Sequence, residues 1–141
     1  MIQYRIPLAG IKISTNTIYA GIHWTKRKEL KDSCFSIAKY FCRPIQKVES
    51  YPVEIRYRFL FVSRPLDTTN TTFMVKMFED TLCALGILQD DSPQYVTRTI
   101  IEVVMVRKEK SKKRSSSMGA QKSKKDEDWV EITIKSINKI N

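Results

Sequence analysis

"YPVEIRYRFLFV", residues 51–62, sets Val53, Ile55, Tyr57, Phe59 and Phe61 against Glu54, Arg56 and Arg58. Alternation with a period of two sends one set of side chains to each face of an extended chain, so this stretch reads as a strand buried on one side. Downstream, "SRPLDTTN" (63–70) has the residues of a loop. From about Thr71 to Leu85 the period changes: Phe73, Met77, Phe78, Leu82 and Leu85 form a helical stripe, and Gly86 suits the position just past a helix end. "GILQDDSPQ" (86–94) is then a short exposed connection, and "YVTRTIIEVVMV" (95–106) and "DWVEITIKSI" (128–137) read as two more strands. Upstream, "IQYRIPL" (2–8) alternates like a short strand, and "AGIKISTNTIYAGIHW" (9–24) reads mainly as loop. "TKRKELKDSCFSIAKYFC" (25–42) places Leu30, Cys34, Ile37, Ala38 and Phe41 at helical spacing, with Thr25 as a candidate N-cap and Pro44 as the stop.

The order β, loop, α, β, α, β, β predicts one α/β domain over residues 1–141, a mixed β-sheet packed against two helices. Between the last two strands, "RKEKSKKRSSSMGAQKSKKDE" (107–127) holds nine Lys or Arg within 107–125 and almost nothing to bury. It is expected to be a flexible basic loop lengthening a β-hairpin. One reading is a solvated insertion. The other is a phosphate-binding arm, with Lys108, Lys110, Lys112, Lys113 and Arg114 as its DNA contacts.

With 141 residues and 42 % hydrophobic content, the chain is long enough to bury a core. It has no run of about 18 apolar residues, which argues against a membrane partner, and no secretory signal is read at the N-terminus. Cys34, Cys42 and Cys83 are odd in number and widely spaced, so they read as small apolar residues in a reducing compartment. One histidine, His23, leaves no common zinc pattern. A formal charge of +10 points to a polyanionic partner, nucleic acid before membrane surface, because each neutralised phosphate releases counterions.

Against that charge, "LDTTNTTFMVKMFEDTLCALGILQDDSP" (66–93) collects Asp67, Glu79, Asp80, Asp90 and Asp91 around one lysine, Lys76. Asp67 alone is as well explained as a cap or an Asx-turn, and Asp90-Asp91 as a turn. Glu79 and Asp80 sit in the second half of a helix, where the macrodipole disfavours negative charge, although Lys76 can pair with them. A loop, the helix after it and the next loop can surround one point, where crowded carboxylates repel unless a cation joins them. Oxygen ligands select a hard ion, Mg2+ or Mn2+. In a basic protein, such a centre suits phosphodiester chemistry: the acids hold metal and the bases hold nucleic acid.

Three segments carry a family resemblance. "STNTIYAGIHW" resembles a Ser-x-Asn-x-x-Tyr loop through Ser14, Asn16 and Tyr19. "LDTTN" with "KMFEDTL" resembles Asp-x-Asp-Asn and Lys-x-x-x-Asp-x-Leu, and "GILQDDSPQYV" resembles Gly-x-x-x-Asp-Asp-x-x-Val. Together they are similar to the RusA-like Holliday junction resolvases of bacteria and their phages. The resemblance implies a RusA-like nuclease domain with Asp67, Lys76 and Asp91 catalytic. It implies Asp67, Asp80, Asp90 and Asp91 as metal ligands; Thr69 stands where the family has its second catalytic aspartate, and Glu79 is able to supply the missing charge, a role the family pattern does not assign to it. Asn16 and Asn70 fall on DNA-facing positions. The implied activity is a Mg2+-dependent endonuclease, a homodimer in the cytoplasm of a bacterial or phage-infected cell, resolving four-way junctions by paired nicks. The alternative is a catalytically silent junction binder of the same fold, and a further one is a basic RNA-associated protein whose acids only solvate a helix.

Overall fold

The computed structural model describes residues 1–106 and 127–137. Strand β1 covers Ile2–Pro7, helix α1 Thr15–Tyr19, helix α2 Trp24–Phe41 and strand β2 Val53–Phe61. A 3-10 turn at Thr68–Thr71 leads into helix α3, Thr72–Ala84, followed by β3, Val96–Met105, and β4, Trp129–Ser136. The strands form one mixed sheet in the order β1-β4-β2-β3.

In β2 the alternation becomes two faces. Val53, Ile55, Tyr57, Phe59 and Phe61 are all 1 % exposed or less, while Arg56 and Arg58 face solvent. The buried row meets α3, where Tyr57 stacks on Phe78 with ring centroids 6.5 Å apart. On the open face, cross-strand pairs join Arg98 to Glu54 at 2.9 Å, Arg56 to Glu102 at 3.6 Å and Arg58 to Glu131 at 3.9 Å. Such exposed pairs add little stability but keep the face soluble.

The predicted hairpin of the last two strands is absent. β2 lies between them, paired parallel with β3 and antiparallel with β4, while β4 also pairs antiparallel with β1. The long connection through α3 lets β3 return parallel to β2, which leaves the other edge of β2 for β4. The predicted loop at 107–127, with Lys108, Lys110, Lys112, Lys113 and Arg114, lies outside the described residues except for Glu127.

Among the described residues three helices form, not two. The additional helix α1 lies inside the segment read as loop, and is only five residues long. Tertiary bonds fix it: Thr15 Oγ1 meets Thr72 Oγ1 at 2.9 Å and accepts from the Phe73 N–H at 3.0 Å. The N-cap of α2 is His23, not Thr25, because His23 Nδ1 accepts the Thr25 N–H at 3.2 Å. Leu30, Cys34 and Ala38 are buried as the stripe predicts, whereas Phe41 stays exposed with its ring edge-on to Trp129. The α3 stripe is shifted toward Met74, Val75, Met77, Phe78, Thr81 and Leu82. Gly86, at φ +82°, ends that helix in a Schellman arrangement, with Ile87 N–H to Leu82 C=O and Gly86 N–H to Cys83 C=O, both 3.0 Å.

A buried clamp closes the end of the sheet where β1 and β2 finish and β4 starts. The Asp128 carboxylate accepts from the N–H groups of Val62 and Ser63 at 2.7 and 3.0 Å, and from the Ser63 hydroxyl. Lys12 Nζ reaches it at 2.9 Å, donates to the Arg64 carbonyl at 2.6 Å and lies 4.8 Å from the centre of the Phe61 ring. Burial pushes the carboxyl up, yet the bonds from Ser63, Lys12 and Val62 outweigh it and bring it down to about 2.

Candidate functional site

Of the sequence-predicted residues that are described, one group lies at the start of α3 and the other along its later turns and the loop after it. Around the N-terminal end of α3, the α1 segment docks on the 3-10 turn. Ser14 caps α1 by accepting the Thr17 N–H at 3.1 Å, and the Asn16 N–H donates to Asn70 Oδ1 at 2.9 Å. Two asparagines 54 positions apart in sequence are thereby joined. Asp67 precedes the 3-10 turn at its N-cap position, but its exposed carboxylate makes no capping bond.

The second group centres on Lys76. Its ammonium lies 2.7 Å from Asp91 and 3.1 Å from Asp80, one turn along α3. These two carboxylates, by hydrogen bonding, hold the lysine well above its ordinary range, and the Lys76 bond in turn lowers Asp91. Glu79 is half-buried on the adjoining side, and its carboxyl is raised, first by burial and then by the charge of Asp91. Burial, followed by Asp91, Glu79, Asp90 and Asp80, pushes the Cys83 thiol to about 11. Four of the five predicted carboxylates thus act on one neighbourhood, against one lysine. Asp67 stands apart: Asp80 comes eight residues after the first residue of α3, about 12 Å along the axis.

The carboxylates as placed do not compose an ion's ligand shell. Among the described residues, no three of His, Cys, Asp and Glu form a group that could hold a metal ion. Asp80 and Asp91 instead share Lys76. Below them, the buried Tyr57 hydroxyl has no hydrogen-bond partner among the described residues, and its proton is held by burial and by the charge of Glu79. The cysteines are free thiols; burial raises Cys34 to about 11 and Cys42 to about 12, which keeps both protonated at neutral pH.

Neither the Asp128 clamp nor its partner Lys12 was a sequence-predicted site. An acid between a basic run and a strand has the pattern of a solvated residue, and only its position beside an apolar strand hints otherwise. A depression of about 500 Å3 lies on the open sheet face among Arg5, Arg56, Arg58, Glu102, Glu131 and Lys135. Its charges are largely engaged in the cross-strand pairs, and it faces away from α3.

No protein-family model and no curated protein matches this chain. Among the described residues, no helix is long and apolar enough to cross a membrane.

Proposed function

We propose that this protein is a structure-specific DNA endonuclease of the RusA-like kind, acting on four-way junctions as a homodimer. The observation that carries the reading is the Lys76 ammonium held between Asp80 at 3.1 Å and Asp91 at 2.7 Å, with Glu79 and Asp90 next to them in the chain, in a protein of net charge +10. Two carboxylates share one ammonium there, which leaves the group with net negative charge. A two-fold junction presents two equivalent phosphates, which suits a symmetric pair of subunits.

In this reading Lys76 supplies a held positive charge that a phosphate oxygen can share as negative charge develops on it. Asp80 and Asp91 fix the ammonium in place. Asn16 and Asn70, bonded to each other, present a polar ledge near Asp67 to the DNA backbone. A hard divalent cation, Mg2+ or Mn2+, enters the proposal through charge alone, as the ion that a net-negative group attracts. The second reading, a silent junction binder, is favoured by Thr69 at a position where the family has an acid.

A synthetic four-way junction incubated with the protein and Mg2+ or Mn2+ separates the two. Paired nicks in opposing strands support the nuclease. Junction binding with no nicks, and no ion uptake by calorimetry, leaves the silent binder.

Deleting residues 107–125 should weaken DNA binding and flatten its salt dependence. Each lost phosphate contact lowers the slope of log affinity against log salt by roughly 0.9. Measured slopes that coincide for the deletion and the full chain would show that Lys108, Lys110, Lys112, Lys113 and Arg114 touch no phosphate.

A further inference from the structure

The connection from α1 to α2 displays aromatic rings in water that the fold has the means to bury. Tyr19 is 82 % exposed and Trp24 68 %, in a chain that covers Tyr57, Phe59 and Phe61 almost completely. Aromatic side chains of this size bring large apolar area to any partner that covers them. Neither ring hangs on a loose segment. Tyr19 ends α1, which the Thr15 bonds tie to α3, and Trp24 begins the 18-residue α2 with its ring stacked on His23 at 5.8 Å. Gly21, at φ +101° in open space, turns the chain between them. Five residues span at most about 18 Å, so both rings lie within the reach of a few nucleotides.

The charge beside these rings narrows the partner. Lys26, Arg27 and Lys28 follow Trp24 on exposed positions of α2, and the first turn carries no acid. Cations there oppose the helix dipole, a cost to folding that an anionic partner would offset. Their ion pairs, Lys26 to Glu29 at 3.9 Å and Lys28 to Asp32 at 3.6 Å, are long and exposed. Rings that stack without regard to base, next to cations that follow a backbone, are what single-stranded nucleic acid requires. On α1, Tyr19 lies three residues after Asn16, so the rings border the Asn16–Asn70 ledge.

We propose that Tyr19, His23 and Trp24 are a stacking platform for unpaired bases of single-stranded or branched DNA, with Lys26, Arg27 and Lys28 on the phosphates of the same strand. The platform rests on the DNA-binding part of the proposed function and not on cleavage. It gives a basis for preferring junctions, where bases next to the branch unstack readily, over continuous duplex.

The test uses the full chain with three DNAs of equal length: a single strand, a perfect duplex and a four-way junction. Each carries 2-aminopurine, in the junction next to the branch, and affinity is read by anisotropy. The expected result is a change in 2-aminopurine emission on binding the single strand and the junction but not the duplex. Trp24→Ala and Tyr19→Ala should each lower single-strand affinity roughly 10-fold, within the range of one lost stacking contact, and leave duplex affinity unchanged. Trp24→Phe should restore most of the loss. In a Trp129→Phe background, Trp24 is the sole indole, and its emission should be quenched by the single strand. If single strand and duplex bind equally and the alanine variants match wild type, the platform is wrong while the DNA-binding reading stands. If no DNA binds, both fall. A shift of oligomeric state in Trp24→Ala would assign the rings to contact between copies and would also overturn the platform.

Discussion

Asp128→Ala is expected to destabilise the fold by about 3–5 kcal/mol, the range for removing one partner of a buried ion pair. The change strips an acceptor from the Val62 and Ser63 N–H groups and from Lys12 together. Asp128→Asn keeps an acceptor oxygen for the backbone and loses only the charge, so its cost should be nearer about 2 kcal/mol. The pH dependence has a definite sign. The folded carboxyl sits at about 2, below its ordinary 3.8. Its contribution is therefore complete above the unfolded value and disappears as pH falls through the folded one. A shift of roughly two units corresponds to about 2–3 kcal/mol. Urea unfolding at pH 7 and near pH 2 should show the gap between wild type and Asp128→Asn narrowing in acid. A gap of constant size would mean that the clamp is held by shape and not by charge.

The second large effect concerns the proposed chemistry. Asp91→Asn should lower cleavage of a four-way junction by at least about 100-fold, the usual scale for losing a group that acts in the transition state. Junction affinity should hold or rise, because a carboxylate facing phosphate repels it. Stability should barely change: Asp91 and Lys76 form a largely exposed pair, and such pairs contribute below about 1 kcal/mol. That combination separates a role in the reaction from a role in folding. Equal losses of cleavage and melting temperature would make Asp91 a structural residue of the loop after α3. Binding retained with no cleavage in wild type would leave the silent junction binder.

What could be read without coordinates follows the range over which each signal acts. The β2 alternation and the helical stripes are local, so those elements lie within one to three residues of the predicted bounds. Strand partners are not encoded by period: β3 and β4 are neighbours in chain order, yet β2 separates them. Helix α1 is too short to carry a stripe, and its bonds come from Thr72 and Phe73, over fifty residues away. The charge bias of residues 66–93 is visible in composition. The meeting of Lys76 and Asp91, 15 residues apart across the Gly86 turn, is decided by how the helix stops. Asp128 carried no distinctive signal, because burial depends on strands from three parts of the chain.

The place of β4 has a consequence for how the molecule is assembled. Among the described residues β1 pairs with β4 alone, joining Ile2 to Ile134, and β4 stands between β1 and β2. During synthesis β1 must wait for β4, which follows the other described strands in chain order. β2, α3 and β3 can associate as a local unit beforehand. Closing a loop of this length is entropically costly and long-range pairing is slow, so insertion of β4 should limit the folding rate. Until then the uncovered edges of β1 and β2 are templates for pairing with other chains. A protein ended before Trp129 would lose more than one strand: it would lose the piece that makes two halves of a sheet into one.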